Sequence, residues 1–238
     1  MIATISKDPA RDAYRQARIK HWDAIASGSA VRRTSMRRCY HSHLAKMYRF
    51  LVPSGLRVLE VGCGEGDLLA ALEPSDGVGL DFSSLMLERA GQKYPNLTFC
   101  NEDIHELNRA GLSSVLARPF DIIILSDLVN DLWDVREALE KIRGLCVPRT
   151  RIILNFHSHL WEAPAQVAQK LGVITPRLSQ NWLTVDDMRN LADLAGLEVI
   201  RHFDNFLWPW DTPVIEPLCN RWLNKLPPFR WLCLVHFM

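Results

Sequence analysis

Apolar and polar positions along this chain fall into runs whose period changes several times. Two N-terminal stretches carry a helical spacing. The first covers residues 9–27, with Tyr14, Ile19, Trp22 and Ile25 among Arg and Lys; Ser27-Gly28-Ser29 breaks it. The second runs from about Thr34 to Leu51, where Met36, Tyr40, Leu44, Met47 and Leu51 recur at steps of four, four, three and four. Beyond Pro53-Ser54-Gly55, short apolar runs of strand length alternate with helical patterns. The strands are RVLEV, Val78 to Leu80, LTFCNED, FDIIIL, RIILNFH and LEVIRHF, then WLCLVHFM at the end. Helices are predicted from Asp67, over Leu85 to Lys93 (capped by Ser83 or Ser84), 135–145, 163–171 and 185–195. Continuous apolar strands such as Phe120 to Leu125 belong to a sheet covered on both faces. Six strands alternating with helices, and a seventh without one, predict an α/β fold with a largely parallel sheet.

The chemistry concentrates in RVLEVGCGEGDLL, Arg57 to Leu69. A strand, glycines at 62, 64 and 66, and a helix start bring backbone N–H groups and a positive helix end to one point. Glycine there permits a sharp turn and close approach of a ligand. A dinucleotide fingerprint has its third glycine where this chain has Asp67. The pattern here is E-x-G-x-G-x-G, and the acid ahead of it suits a ligand with a cationic amine. Asp81 follows Gly62 by 19 residues, where an acid can accept from ribose hydroxyls. These residues resemble the first two motifs of the class I S-adenosylmethionine-dependent methyltransferases. The resemblance covers roughly residues 50–203. It implies a Rossmann-like seven-stranded sheet with helices on both faces, its last strand antiparallel, and S-adenosylmethionine as cofactor, leaving as S-adenosylhomocysteine. It further implies that Glu60 faces the methionine amine, that Gly62, Cys63, Gly64 and Gly66 underlie the ligand, and that Asp81, with Phe82 beside it, holds the ribose. Asp103 would accept from the adenine amino group, unless it only caps the next helix. The backbone at Ile104 would meet the ring, and Ser126 would close the cofactor set. One domain is expected: a helical cap over 1–55, a cofactor-binding core over 56–203, and an aromatic segment with the last strand over 204–238. The chain stops inside that strand, as a domain within a longer protein would.

The segment after the fourth strand, SDLVNDLWDV, faces the methyl group and acceptor in such a sheet. It is not N-P-P-[YF], the signature at this place in methyltransferases acting on base amines, and the basic residues lack interleaved stacking aromatics, so a nucleic-acid acceptor is disfavoured. DLVNDLWDV, NFHSHLWEAP and QNWLTVDDMRNLADLAGLEVI are similar to methyltransferase domains joined to bacterial family 2 glycosyltransferases. That similarity implies a small-molecule or glycan-type, lipid-linked acceptor, with a glycosyltransferase in the same pathway or chain as partner. A hydroxyl acceptor calls for a general base. His157 at the mouth of the fifth strand is favoured and Asp131 comes second; His41, His43 and His159 are weaker candidates. No carboxylate cluster has the spacing of a catalytic Mg²⁺ site. Trp161, Trp182, Trp208 and Trp210 could line an acceptor pocket, whereas Trp22 and Trp133 read as core. Two other classes stay open: a nicotinamide-dependent oxidoreductase on the same kind of sheet, and a non-catalytic module that binds S-adenosylmethionine.

Composition adds bounds. At 238 residues, 48% of them apolar, the chain can bury a sizeable core, and no apolar run is long enough to span a membrane. The six cysteines form no C-x-x-C pair, so a disulfide or cysteine-metal framework is not expected, and a reducing cytoplasm is. Net charge is +1, but residues 1–49 hold 11 Lys and Arg against 3 acids, a balance of +8, and the remainder −7. The basic cap meets either an anionic acceptor or the acidic body of its own domain.

Overall fold

The computed structural model describes residues 8–28, 35–107, 113–170, 178–208, 212–230 and 232–238. Two helices come first, α1 (Pro9–Ala26) and α2 (Ser35–Leu51). Asp8 caps α1 by accepting from the Ala10 N–H, with Pro9 at the first turn, where its missing N–H costs nothing. The body then alternates β1 (Arg57–Val61), α3 (Asp67–Ala71), β2 (Asp76–Asp81), α4 (Ser84–Lys93), β3 (Thr98–Asn101), α5 (Ser114–Ala117), β4 (Ile122–Ser126), α6 (Val135–Arg143) and β5 (Arg151–His157). After α7 (Glu162–Lys170) and α8 (Val185–Leu194) come β6 (Phe203–Asn205) and β7 (Val235–Phe237). Ser83 is the cap of α4, its hydroxyl accepting from the Met86 N–H.

The sheet order is β3-β2-β1-β4-β5-β7-β6. All neighbours up to β5 are parallel, and β7 lies antiparallel between β5 and β6. Strand order reverses between β1 and β4, which pair Leu59 with Ile123. The apolar run of β4 serves both faces, as a central strand must. Ile122 and Ile124 pack with Leu44 and Tyr48 of α2, whereas Ile123 and Leu125 pack with Leu139 and Ile142 of α6 and Met188 of α8. The second helix of the N-terminal cap is therefore part of the core.

Three expectations are corrected by the structure. The sixth strand does not span LEVIRHF; it begins at Phe203 and ends at Asn205. A ladder is only as long as its partner, and β7 offers three residues, so Ile200 stays 85% exposed. WLCLVHFM is shortened in turn, because Leu232 and Cys233 donate their N–H groups to turns closed on Phe229 and Arg230. Trp133 is not core. It is 38% exposed and meets Tyr14 edge-on at 5.0 Å. Trp210, Arg32 and Arg33 lie outside the described residues.

Candidate active site

A cleft of about 540 Å³, open solvent included, lies at the carboxyl ends of β1, β2, β3 and β4, where strand order reverses. Gly62, Asp81, Phe82, Asp103, Ile104 and Asp131 line it, and α1 roofs it with Arg11, Tyr14, Arg15 and Arg18. Glu60, Cys63, Gly64, Gly66, Ser126 and His157 do not reach its surface.

The glycine loop is built differently from the expected cradle of free N–H groups. Gly62 and Cys63 both donate to the Leu80 carbonyl, at 2.7 and 3.1 Å, Gly66 donates to Cys63, and Gly64 donates to Asp81 Oδ2 at 2.9 Å. These four donors are spent inside the fold. Gly62 has φ +73°, and a Cβ there would stand 2.8 Å from Leu128 Cδ1. Glycine is needed for close packing and the left-handed turn. Those four N–H groups are not open to an anion, and Glu60, Asp67 and Asp81 lie close by.

Glu60 is 3% exposed, and its Oε2 has no hydrogen-bond partner among the described residues. Burial pushes its carboxyl up to about 8, against a bond from the Leu69 N–H, and the neighbouring Asp81, Asp67 and Asp127 push the same way. Asp81 is also buried, which raises its carboxyl; bonds from the backbone N–H groups of Ser83 and Gly64 act against that. An acid-rich loop with an unsatisfied buried carboxyl at Glu60 fits a ligand bearing ammonium and sulfonium charges. It does not fit a pyrophosphate.

Asp103 fills the capping role that the sequence left open, and its second oxygen meets a cation of α1. Oδ1 caps the turn Ile104–Glu106 by accepting from the His105 N–H at 3.0 Å, and Oδ2 pairs with Arg15 Nε at 3.0 Å. Burial would raise this carboxyl, but His105 and Arg15 hold it below its ordinary value. The other α1 side chains act as struts across the cleft. Arg11 reaches Glu106 and Glu137, the Tyr14 hydroxyl donates to the Asp131 and Leu132 carbonyls, and Arg18 donates to the Asp131 and Ser179 carbonyls. The Ser83 hydroxyl donates to Asp23 at 2.5 Å. Arg11, Arg15 and Arg18 are thus met by carboxylates and carbonyls of their own domain. The Arg38 side chain is exposed.

The sequence-based candidates for a base separate here. The Asp131 carboxylate accepts from Gln180 at 3.2 Å and lies 3.8 Å from Arg18, so it sits among the struts. His157 is buried, its backbone N–H donates to Asn130 Oδ1, and its ring stacks on Tyr40 at 6.0 Å. Asp127 went unrecognised in the sequence. It follows β4 directly, with φ +53°, a left-handed conformation that Asp tolerates better than most residues. Its Oδ1 accepts from the Tyr40 hydroxyl at 2.7 Å and from Asn155 Nδ2 at 2.5 Å, and the Tyr48 hydroxyl donates to Asn155 Oδ1 at 2.7 Å. An acid that ends a central strand was the available signal; its partners come from α2 and β5, far away in sequence.

Fold and cleft together define a class I methyltransferase. A family model described as a methyltransferase domain matches residues 53–196, more than half of the chain. The chain belongs to this family, the S-adenosylmethionine-dependent methyltransferases, and its cofactor is S-adenosylmethionine. Among curated proteins no relative matches. Solved structures similar to it include the methyltransferase in complex with the Trm112 methyltransferase activator of Haloferax volcanii, 18% identical over 91% of this chain and 96% of that one, with TM-score 0.61. A second is an S-adenosylmethionine-dependent methyltransferase of Thermotoga maritima, 16% identical over 74% and 80%, TM-score 0.60. A third is magnesium protoporphyrin IX methyltransferase of Synechocystis with bound S-adenosylmethionine, 18% identical over 84% and 91%, TM-score 0.54. No helix among the described residues is long and apolar enough to cross a membrane.

Proposed function

We propose that this enzyme methylates a hydroxyl group of a small-molecule or glycan-type acceptor. The observation that carries the reading is the Tyr48–Asn155–Asp127–Tyr40 hydrogen-bond chain at the ends of β4 and β5, with His157 stacked behind Tyr40. Bound S-adenosylmethionine supplies an activated methyl for in-line displacement. Glu60 would hold its amine and Asp81 its ribose, while Ile104 and Asp103 would meet the adenine edge, Arg15 sharing or releasing Oδ2. The protein's remaining task is to align the acceptor, exclude water and take one proton. Asp127, partly exposed, is the group we assign to that proton. Asn155 and Tyr40 orient its carboxylate, His157 positions Tyr40, and Asp131 anchors the roof. The similarity of 127–135, 155–164 and 180–200 to glycosyltransferase-joined methyltransferase domains supports a glycan-type acceptor and a glycosyltransferase as pathway partner. An anionic acceptor would rely on Arg32, Arg33, Arg37 and Arg38, because the α1 arginines are already paired.

The test is incubation with methyl-labelled S-adenosylmethionine and fractions of small molecules and glycans, followed by mass analysis. Label in an ether linkage is the expected result, and label on nitrogen would overturn the reading. With the acceptor in hand, Asp127→Asn should lower kcat about 10²–10⁴-fold with cofactor Kd changed less than about tenfold, the range general-base removal covers. Turnover by Asp127→Asn close to that of the wild type would remove Asp127 from the role.

A further inference from the structure

We propose that His202, Asp204 and His236 form a binding site for one divalent transition-metal ion, of which zinc fits best. The three residues sit at the sheet edge away from the cofactor cleft, and none of them lines that cleft. Antiparallel pairing sets Asp204 opposite His236. Side chains alternate along each strand. Phe203 and Phe237 therefore stack on each other at 5.0 Å beneath α2, and His202, Asp204 and His236 gather on the opposite face.

The donor atoms are already close. His236 Nδ1 lies 2.7 Å and His202 Nε2 3.0 Å from the same Asp204 oxygen, and all three ligand atoms fall within 4.8 Å of one another. Zinc–nitrogen and zinc–oxygen bonds of about 2.0–2.2 Å place neighbouring ligand atoms roughly 3–3.6 Å apart, so only small shifts are required. His202 Nε2 is buried and, despite its 3.0 Å approach, makes no hydrogen bond of acceptable geometry. It is a nitrogen aimed at a shared point. The side chains are 10–15% exposed, which leaves room for a water to complete a tetrahedral set. Arg230 Nε, 3.6 Å from Oδ2, meets the carboxylate oxygen that the imidazoles do not. It would fix that carboxylate as an outer partner while moderating the affinity for a cation. Phe156 closes the site behind the His236 ring at 5.2 Å.

Two imidazoles and a carboxylate select zinc-like ions over magnesium or calcium, which prefer all-oxygen sets. The consequence is structural. β6 is held by three residues of pairing to β7, and the two strands are joined by the long segment between Asn205 and Val235. A metal clip across them closes that loop and removes disorder from the unfolded chain.

The experiment uses the whole chain, stripped with EDTA and titrated with zinc chloride alone. One equivalent should bind, and at 100 times Kd the Tm should rise by about 5–10 °C, while magnesium and calcium at the same concentration leave it unchanged. Asp204→Asn and His202→Gln should each weaken binding at least ~100-fold, more than loss of an outer partner costs. Because either substitution could loosen the strand, cobalt(II) on the unmodified chain gives an independent reading. Tetrahedral visible absorption bands, displaced by one equivalent of zinc, are expected. No saturable zinc binding, binding undiminished in both variants, or a cobalt spectrum no different from the aqueous ion would each overturn the assignment. S-adenosylmethionine binding should be the same with and without zinc.

Discussion

Replacing Glu60 with Gln should make the ligand-free protein more stable at pH 8 and above while weakening its hold on S-adenosylmethionine. The carboxyl is buried, has one unsatisfied oxygen, and is pushed from 4.5 in the unfolded chain to about 8 in the fold. Below pH 4.5 it is protonated in both states and contributes nothing to the pH dependence. Between pH 4.5 and about 8 the folded state keeps the proton and the unfolded state loses it, so stability falls as pH rises. Above that the full cost of burying the charge is present, on the order of several kcal/mol. Glu60→Gln removes this slope, and its Tm should exceed the wild type's by about 5 °C or more at pH 8.5. The cofactor's amine favours the ionised form, so wild-type binding should release a proton and tighten as pH rises towards 8. Loss of a charge-assisted partner should weaken the variant's affinity about 10–100-fold. Thermal melts across pH 5 to 9 and calorimetric binding read both effects. A variant that is less stable at high pH would mean that Glu60 is balanced by a cation in the native state.

Asp81→Ala should reduce cofactor affinity about tenfold or more and also destabilise the fold, because hydrogen bonds to charged groups are worth roughly 1.5–3 kcal/mol. Its position at the end of a strand leads one to expect an exposed side chain and a harmless substitution. The carboxylate is instead 9% exposed and accepts from the Gly64 and Ser83 N–H groups, both at 2.9 Å. Alanine would leave those two donors without their acceptor, at about 1–3 kcal/mol each where water cannot reach them. Urea unfolding and cofactor titration separate the two roles. Lost stability with unchanged affinity would place the ribose elsewhere.

Much of the architecture is legible because local sequence and global fold agree. β5 occupies the stretch RIILNFH from end to end, α1 and α2 begin and end within a residue or two of their predicted limits, and Ser83 caps α4. Each rests on a period, a breaker or a cap within a few residues. The short β6 and β7 were not legible, because their length is set by each other's registry across a long segment.

The sequence by itself determined the class of sheet, the glycine turn, the acids at 60, 81 and 103, and hence the family, since all of these are spacings within single βα units. Tertiary structure decided the rest. It spent the loop's N–H groups on Leu80 and Asp81, put Arg15 on Asp103, and joined Asp127 to Tyr40 and Asn155. It also brought His202 and Asp204 to His236. Such pairings join different elements, from 17 to 88 positions apart in the chain, and no local period encodes which donor a buried carboxylate will find; that is fixed only when helices and strands pack.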